Sequence, residues 1–233
     1  MVFLRPLLVT ALMLCGNSCV LLPQPAAAGS AVGVSFLALG DSYTSGEGEA
    51  KAARWPAQLA GLLAAGGVAV AAPTYIARTG WTTAELQVAI AAARPASTYG
   101  LVSLLIGANN QFRGQPAARY RPEFRALLHQ AIGFAGGRPG RVVVLSVPDW
   151  GQSPFGQRQG RAPAVIGAEI DQLNAVAQAE CRQAGVAYVD ITALTRAAAS
   201  DPRQFGRDGL HYARPQLRQW AERALPVVRS LLP

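Results

Sequence analysis

The sequence predicts one doubly wound α/β domain, with a mainly parallel five-stranded sheet covered by helices on both faces. Three observations predict it. Five short apolar runs are continuous rather than alternating, as in strands buried on both sides. Stretches of helical pattern separate successive runs, which is the connection that parallel strands require. Residues 29–233 show no internal repeat, low-complexity linker or second domain.

In order, the strands are expected at residues 34–39, about 74–77, 101–106, 141–147 and 186–189. Helices are expected near 55–65, 83–93, 117–135 and 163–184, with a last one near 215–232. Thr82 or Thr83 is placed to cap the second helix, while Gly66-Gly67 and Gly136-Gly137 stop the first and third.

Residues 1–28 read as an export signal rather than as part of the fold. Arg5 supplies the positive start, residues 6–22 are mostly apolar, and Pro23-Gln24-Pro25-Ala26-Ala27-Ala28 offers a small-residue cleavage site after Ala28. Gly16-Asn17-Ser18 interrupts the apolar run, so a retained membrane anchor is the weaker reading, and no stable membrane span is expected in the mature form. A lipoprotein reading is weaker too, because bulky Leu14 precedes Cys15 and Gly16-Asn17-Ser18 precedes Cys19. The expected location is periplasmic or secreted. Cys15 and Cys19 leave with the signal, so Cys181 has no intrachain partner and is read as a small packing residue. The formal net charge of +8 is carried almost wholly by arginine, Lys51 being the one lysine. These arginines form no basic run interleaved with aromatics, which argues against a nucleic-acid partner.

Chemistry is concentrated after the strands. The first is followed by Gly40-Asp41-Ser42, the second by Arg78-Thr79-Gly80-Trp81, the third by Gly107-Ala108-Asn109-Asn110 and the fourth by Pro148-Asp149-Trp150. Ligands of open α/β sheets bind beyond the carboxyl ends of strands, so these loops should share one edge. A serine nucleophile needs a base, for which histidine is the usual side chain near neutral pH. Of two histidines, His129 sits mid-helix and reads as a helix-face residue. His211 follows Asp208 by three residues with Gly209 between, so one turn can set a carboxylate against the imidazole. A plain helix-entry turn capped by Asp explains the same spacing. Gly-Asp-Ser after a strand likewise has a bland reading as a capped turn. Position 44 is Thr, so the G-x-S-x-G nucleophile elbow is absent.

Taken in order, these blocks resemble the SGNH, or GDSL, hydrolases over nearly the whole mature chain. The segment from Phe36 to Gly48 matches the first block, Gly80 the second, Gly107-Ala108-Asn109-Asn110 the third, and Asp208 with His211 the last. The resemblance implies a flavodoxin-like three-layer α/β/α fold and a serine ester hydrolase. It implies Ser42 as nucleophile, His211 as general base and Asp208 as its orienting carboxylate. The oxyanion hole would be the N–H groups of Ser42 and Gly80 with the Asn109 side-chain amide. Two departures stand out: Tyr212 follows the histidine where the family commonly has Pro, and Asn110 replaces a commoner Asp.

No metal or cofactor is expected, since an H-E-x-x-H pattern and spaced cysteine ligands are missing. Asp149, Asp171 and Asp190 read as caps or surface groups, and Glu47 and Glu49 belong to the first loop. Trp81, Phe112, Trp150 and Phe155 are candidate substrate-binding aromatics, with loop anchoring as the competing explanation. If they line a pocket, short- to medium-chain acyl esters on a small molecule or polymer are favoured. A carbohydrate O-deacetylase acting on envelope or plant polysaccharide would use the same residues, as would an acyltransferase. A non-catalytic binding module on this fold would need none of them together.

Overall fold

The computed structural model describes residues 1–2, 33–96 and 98–232. The segment read as an export signal lies, beyond its first two residues, outside the described residues. Those described from Gly33 onward fold around five strands, β1 (Phe36–Gly40), β2 (Thr74–Ala77), β3 (Leu101–Leu105), β4 (Val142–Leu145) and β5 (Ala187–Val189). The order across the sheet is β2-β1-β3-β4-β5 and every pairing is parallel. The chain leaves β1 toward β2 on one side and later returns to β3 on the other. The crevice at that reversal is where such sheets bind ligands.

Alternation along each strand feeds two cores. Phe36, Ala38, Leu101, Leu105 and Val143 pack against α2 (Trp55–Ala65) and α8 (Arg214–Leu231), with Trp55 and Trp220 fully buried between them. Leu37, Leu39, Val102 and Val144 face the other way, onto α3 (Thr83–Ala93), α5 (Ala117–Phe134) and α6 (Pro163–Ala184). Each fully buried Leu or Phe contributes roughly 1.5–3 kcal/mol of transfer free energy, so both helical layers are held chiefly by apolar burial. Cys181 is one of these packing residues, and burial pushes its thiol pKa up to about 12. His129 is exposed on α5.

The strands and long helices fall within two residues of the sequence expectation. The widest differences are two residues: Val34 makes an isolated parallel bridge with Val70 instead of joining β1, and β4 ends at Leu145 rather than at 147. Thr82 caps α3 through a full capping box with Glu85, each side chain accepting from the other's backbone N–H. Among the described residues, α4 (Ala108–Phe112) and α7 (Thr192–Ala197) were not expected, and α1 (Ser42–Ser45) was expected only as a short segment opening at Ser42. Each is too short to display a 3.6-residue period. Among the described residues no helix is long and apolar enough to cross a membrane.

The end of β1 tolerates no side chain at Gly40. A Cβ there would overlap the Thr44 hydroxyl on α1 and the Leu105 carbonyl on β3. Gly40→Ala should therefore destabilise the fold by roughly 1–3 kcal/mol, the usual cost of overpacking. A lowered urea midpoint is the expected reading; an unchanged midpoint would show that the strand end relaxes freely.

Candidate active site

The loops after β1, β2, β3 and β4 meet the segment before α8 around one cavity of about 110 Å³. Ser42, Gly80, Asn109 and His211 all line it, with Phe112, Trp150 and Leu210 as its larger apolar walls. The four residues thus converge from four separate parts of the chain.

Ser42 opens α1 directly beyond β1 and is 5% exposed. Asp41, in extended backbone before it, caps the helix by accepting the Tyr43 N–H at 3.0 Å. Burial raises the Asp41 carboxyl pKa to about 7, against the opposing pull of that N–H. Its Oδ2 has no hydrogen-bond partner among the described residues. Tyr43 stands against His211, ring centroids 5.7 Å apart, and against Tyr212 and Trp220 at 5.7 and 6.1 Å. The residue after the serine therefore buttresses the histidine.

His211 is held by its own turn. Asp208 Oδ2 lies 2.5 Å from His211 Nδ1, while Asp208 Oδ1 accepts the Leu210 and His211 N–H groups at 2.9 and 3.0 Å. Burial pushes the Asp208 carboxyl pKa up, but hydrogen bonds from the imidazole and these two backbone groups outweigh it, leaving the net shift downward. A carboxylate beside Nδ1 favours the tautomer with its proton there, which leaves Nε2 as the acceptor. Among the described residues no hydrogen bond joins Ser42 Oγ to His211 in this conformation. Such bonds commonly tighten only when substrate binds. Tyr212, where Pro is commoner in the family, packs its ring on Phe205 and Trp220 at 5.2 and 5.1 Å and donates its hydroxyl to the Asp149 carbonyl at 3.3 Å.

Gly80 has φ +86°, a conformation open to glycine and strained for other residues. Asn109 Nδ2 donates to the Trp81 carbonyl at 3.0 Å, which leaves the amide a second N–H. Asn110 uses both ends of its amide: Oδ1 accepts the Thr83 N–H at 3.1 Å, and Nδ2 donates to Thr83 Oγ1 and Gln115 Oε1 at 2.6 Å each. An ionised Asp could not make the two donor contacts, which accounts physically for the amide at this position.

The four aromatics singled out by sequence divide. Phe112, 51% exposed, stands at the cavity edge-on to Trp150, centroids 5.4 Å apart. Trp150 is 3% exposed, and its Nε1 donates to Gln111 Oε1 at 2.6 Å. Gln111 in turn donates to Glu169 at 2.6 Å. Phe155 packs against Trp150 at 6.4 Å and does not line the cavity. Trp81 lies with Ala84, Val88 and Ala92 in a separate groove along α3. Asp149 corrects its reading as a possible surface group: it caps the turn Trp150–Gln152 but is fully buried, paired with Arg196 Nε at 2.8 Å. Asp171 is an exposed second partner of Arg196, and Asp190 accepts the Thr192 N–H at 2.8 Å just before α7. Glu47 accepts the Thr79 hydroxyl, tying the first loop to the second. Sequence reasoning passed over Tyr43, Gln111 and Leu210. Each adjoins a motif residue, and that adjacency was the one signal available.

The parallel sheet, its reversal beside β1 and its helical layers on both faces form a three-layer α/β/α architecture of the kind seen in solved GDSL-type hydrolases. Residues 38–214 match the GDSL-like Lipase/Acylhydrolase family, and the chain belongs to that family. Among solved structures, the lipase/acylhydrolase from Enterococcus faecalis is 18% identical with a TM-score of 0.65, covering 86% of this chain and 97% of that one. TesA is 19% identical with a TM-score of 0.64, covering 85% and 99%. Axe2, an acetylxylan esterase from Geobacillus stearothermophilus, is 18% identical with a TM-score of 0.62, covering 84% and 94%. At these identities the likeness is one of fold. Comparison with curated protein sequences finds no match.

The buried Asp41 generates a stability prediction. Its folded pKa of about 7 exceeds the model-peptide value of 3.8, so between these values the folded state binds the extra proton. Stability contributed by the neutral form is then complete at low pH and is lost as pH rises through about 7. Asp41→Asn keeps the acceptor for Tyr43 and removes the charge. Its thermal midpoint should exceed that of the wild type increasingly from pH 4 to 8, whereas a gap independent of pH would contradict the buried-carboxyl account.

Proposed function

We propose that the protein is a serine ester hydrolase acting on short acyl esters. The observation that carries this reading is the convergence of Ser42, Gly80, Asn109 and His211 on one small cavity, with His211 Nδ1 2.5 Å from Asp208. In this reading Ser42 Oγ attacks the acyl carbonyl while His211 Nε2 takes its proton. The N–H groups of Ser42 and Gly80 and the free N–H of Asn109 receive the developing oxyanion. Collapse returns the proton from His211 to the leaving alcohol, and water repeats the sequence to release the acid. Asp208 stays ionised throughout, which its lowered pKa favours.

The cavity limits the acyl group. At about 110 Å³ it is smaller than the roughly 300–1,000 Å³ typical of drug-sized sites, and Trp150, pinned through Gln111, is one of its walls. Acetyl to butyryl groups fit this reading best. The same small volume keeps a carbohydrate O-deacetylase as the second reading, since an acetyl group on a sugar would place the bulk of its alcohol outside. We further propose that residues 29–233 form the mature hydrolase domain, exported after cleavage near Ala28. Mass spectrometry of the mature N-terminus tests this.

Hydrolysis of p-nitrophenyl acetate, butyrate, octanoate and palmitate tests the main reading. Turnover should favour the two short esters and fall by roughly 10⁴-fold or more in Ser42→Ala. Asn109→Ala should cost about 10²–10³ in kcat with a smaller change in KM, as expected for a lost oxyanion donor. Turnover indifferent to Ser42 would end the reading. Activity on acetylated xylan far above that on the artificial esters would favour the deacetylase. Trp150→Ala should shift the preferred acyl chain toward octanoate; if the optimum stays put, Trp150 does not bound the acyl site.

A further inference from the structure

The loop carrying Gly80 is gripped from outside the cavity by a side chain that does not line it. Arg113, the residue that caps the end of α4, donates from Nη2 to the Gly80 carbonyl at 2.7 Å. Its Nη1 donates to both oxygens of Glu85, each at 3.1 Å. Glu85 is itself fixed, because its Oε2 accepts the Thr82 N–H at 2.7 Å and the Thr82 hydroxyl at 2.8 Å. The guanidinium therefore braces the glycine against the rigid first turn of α3. From the other end of α4, Asn109 holds the next carbonyl along, that of Trp81. Two successive peptides of the loop are thus tied to one short helix.

Stability alone does not call for this arrangement. The Arg113 and Glu85 side chains are 51% and 43% exposed, and an exposed ion pair of this kind adds little to folding. The loop has a different need. Gly80 at φ +86° has the least intrinsic backbone restraint of any residue type, yet an oxyanion donor works only if its direction is set before reaction. A rigid planar fork is suited to that task, since it can engage a carbonyl and a carboxylate at once.

We propose that Arg113 is a positioning residue for the oxyanion hole: braced on Glu85, it fixes the Gly80–Trp81 peptide, which anchors the Gly80 Cα and limits the directions that the Gly80 N–H, on the preceding peptide, can take toward the oxygen the Asn109 amide also addresses. The proposal rests on the reading of Gly80 and Asn109 as oxyanion donors. Arg113 touches neither the ester nor Ser42 in this scheme.

The test is steady-state hydrolysis of p-nitrophenyl acetate by wild type, Ser42→Ala, Arg113→Ala and Arg113→Lys, with thermal midpoints measured on the same preparations. Arg113→Ala should lower kcat by roughly 10- to 100-fold, less than the loss of a donor outright, with KM and midpoint close to wild type. Lysine keeps the charge without the fork, so Arg113→Lys should stay near the alanine variant. Millimolar guanidinium chloride should restore part of the kcat of Arg113→Ala while leaving wild type unchanged. A kcat for Arg113→Ala equal to wild type would overturn the proposal. Full recovery by lysine, or a loss that tracks a fallen midpoint, would overturn it equally. Wild-type turnover that survives Ser42→Ala would instead remove the serine-hydrolase reading, an outcome distinguished within the same assay.

Discussion

The turn from β1 into α1 is closed by the absence of a side chain at Gly40, and the rest of the sheet edge takes its positions from that turn. With only hydrogen there, the Thr44 hydroxyl and the Leu105 carbonyl can press against the strand end. Asp41 is forced inside, where its carboxyl caps the turn it precedes. Ser42 emerges at the crevice between the loops of β2 and β3, and Tyr43 is left facing the last segment of the chain. Its contacts with His211, Tyr212 and Trp220 join the first strand to the final helix. The close approach at Gly40 and the Tyr43 contacts thus lie on consecutive turns of the same short segment.

A second organising element is α4, although it has only five residues. Asn109 reaches the Trp81 carbonyl, Asn110 the start of α3, and Gln111 the indole of Trp150. Phe112 covers that indole, and Arg113 returns to Gly80. Consecutive side chains on one turn and a half of helix point in different directions, so each can address a different loop. The segment after β3 therefore fixes the loops after β2 and β4 in relation to one another.

Much of the fold was legible in the sequence because strands buried on both faces advertise themselves as unbroken apolar runs. The long helices were legible because Gly66, Thr82 and Gly136 mark their ends. The short helices α4 and α7 were not, and α1 was legible only from the turn that opens it, since four to six residues carry no period to read. At the site, Ser42, Gly80, Asn109 and His211 could be picked out by the order of their motifs along the chain. What sequence order does not encode is direction. Trp81 and Phe155 adjoin motif residues as Phe112 and Trp150 do, yet one lies along α3 and the other stands behind an indole. Asp149 is buried because Arg196, on a later helix, offers it a partner, and Arg113 meets Gly80 across a comparable gap. Pairings of that kind leave no local trace in composition or spacing.

The packing of α8 on α2 has a consequence for how the molecule comes into being. Ser42 lies far ahead of His211 in the sequence, so a growing chain carries the hydroxyl long before it carries the imidazole. The first core face stays open until α8 closes over Trp55 and brings the Asp208–His211 turn beside Tyr43. Long-range closures of this type come late and slowly in parallel-sheet proteins. In the proposed reading, a chain without α8 and the turn before it would hold the Ser42 hydroxyl without its base. In that reading, recovery of turnover during refolding would time the docking of α8 rather than the assembly of the sheet.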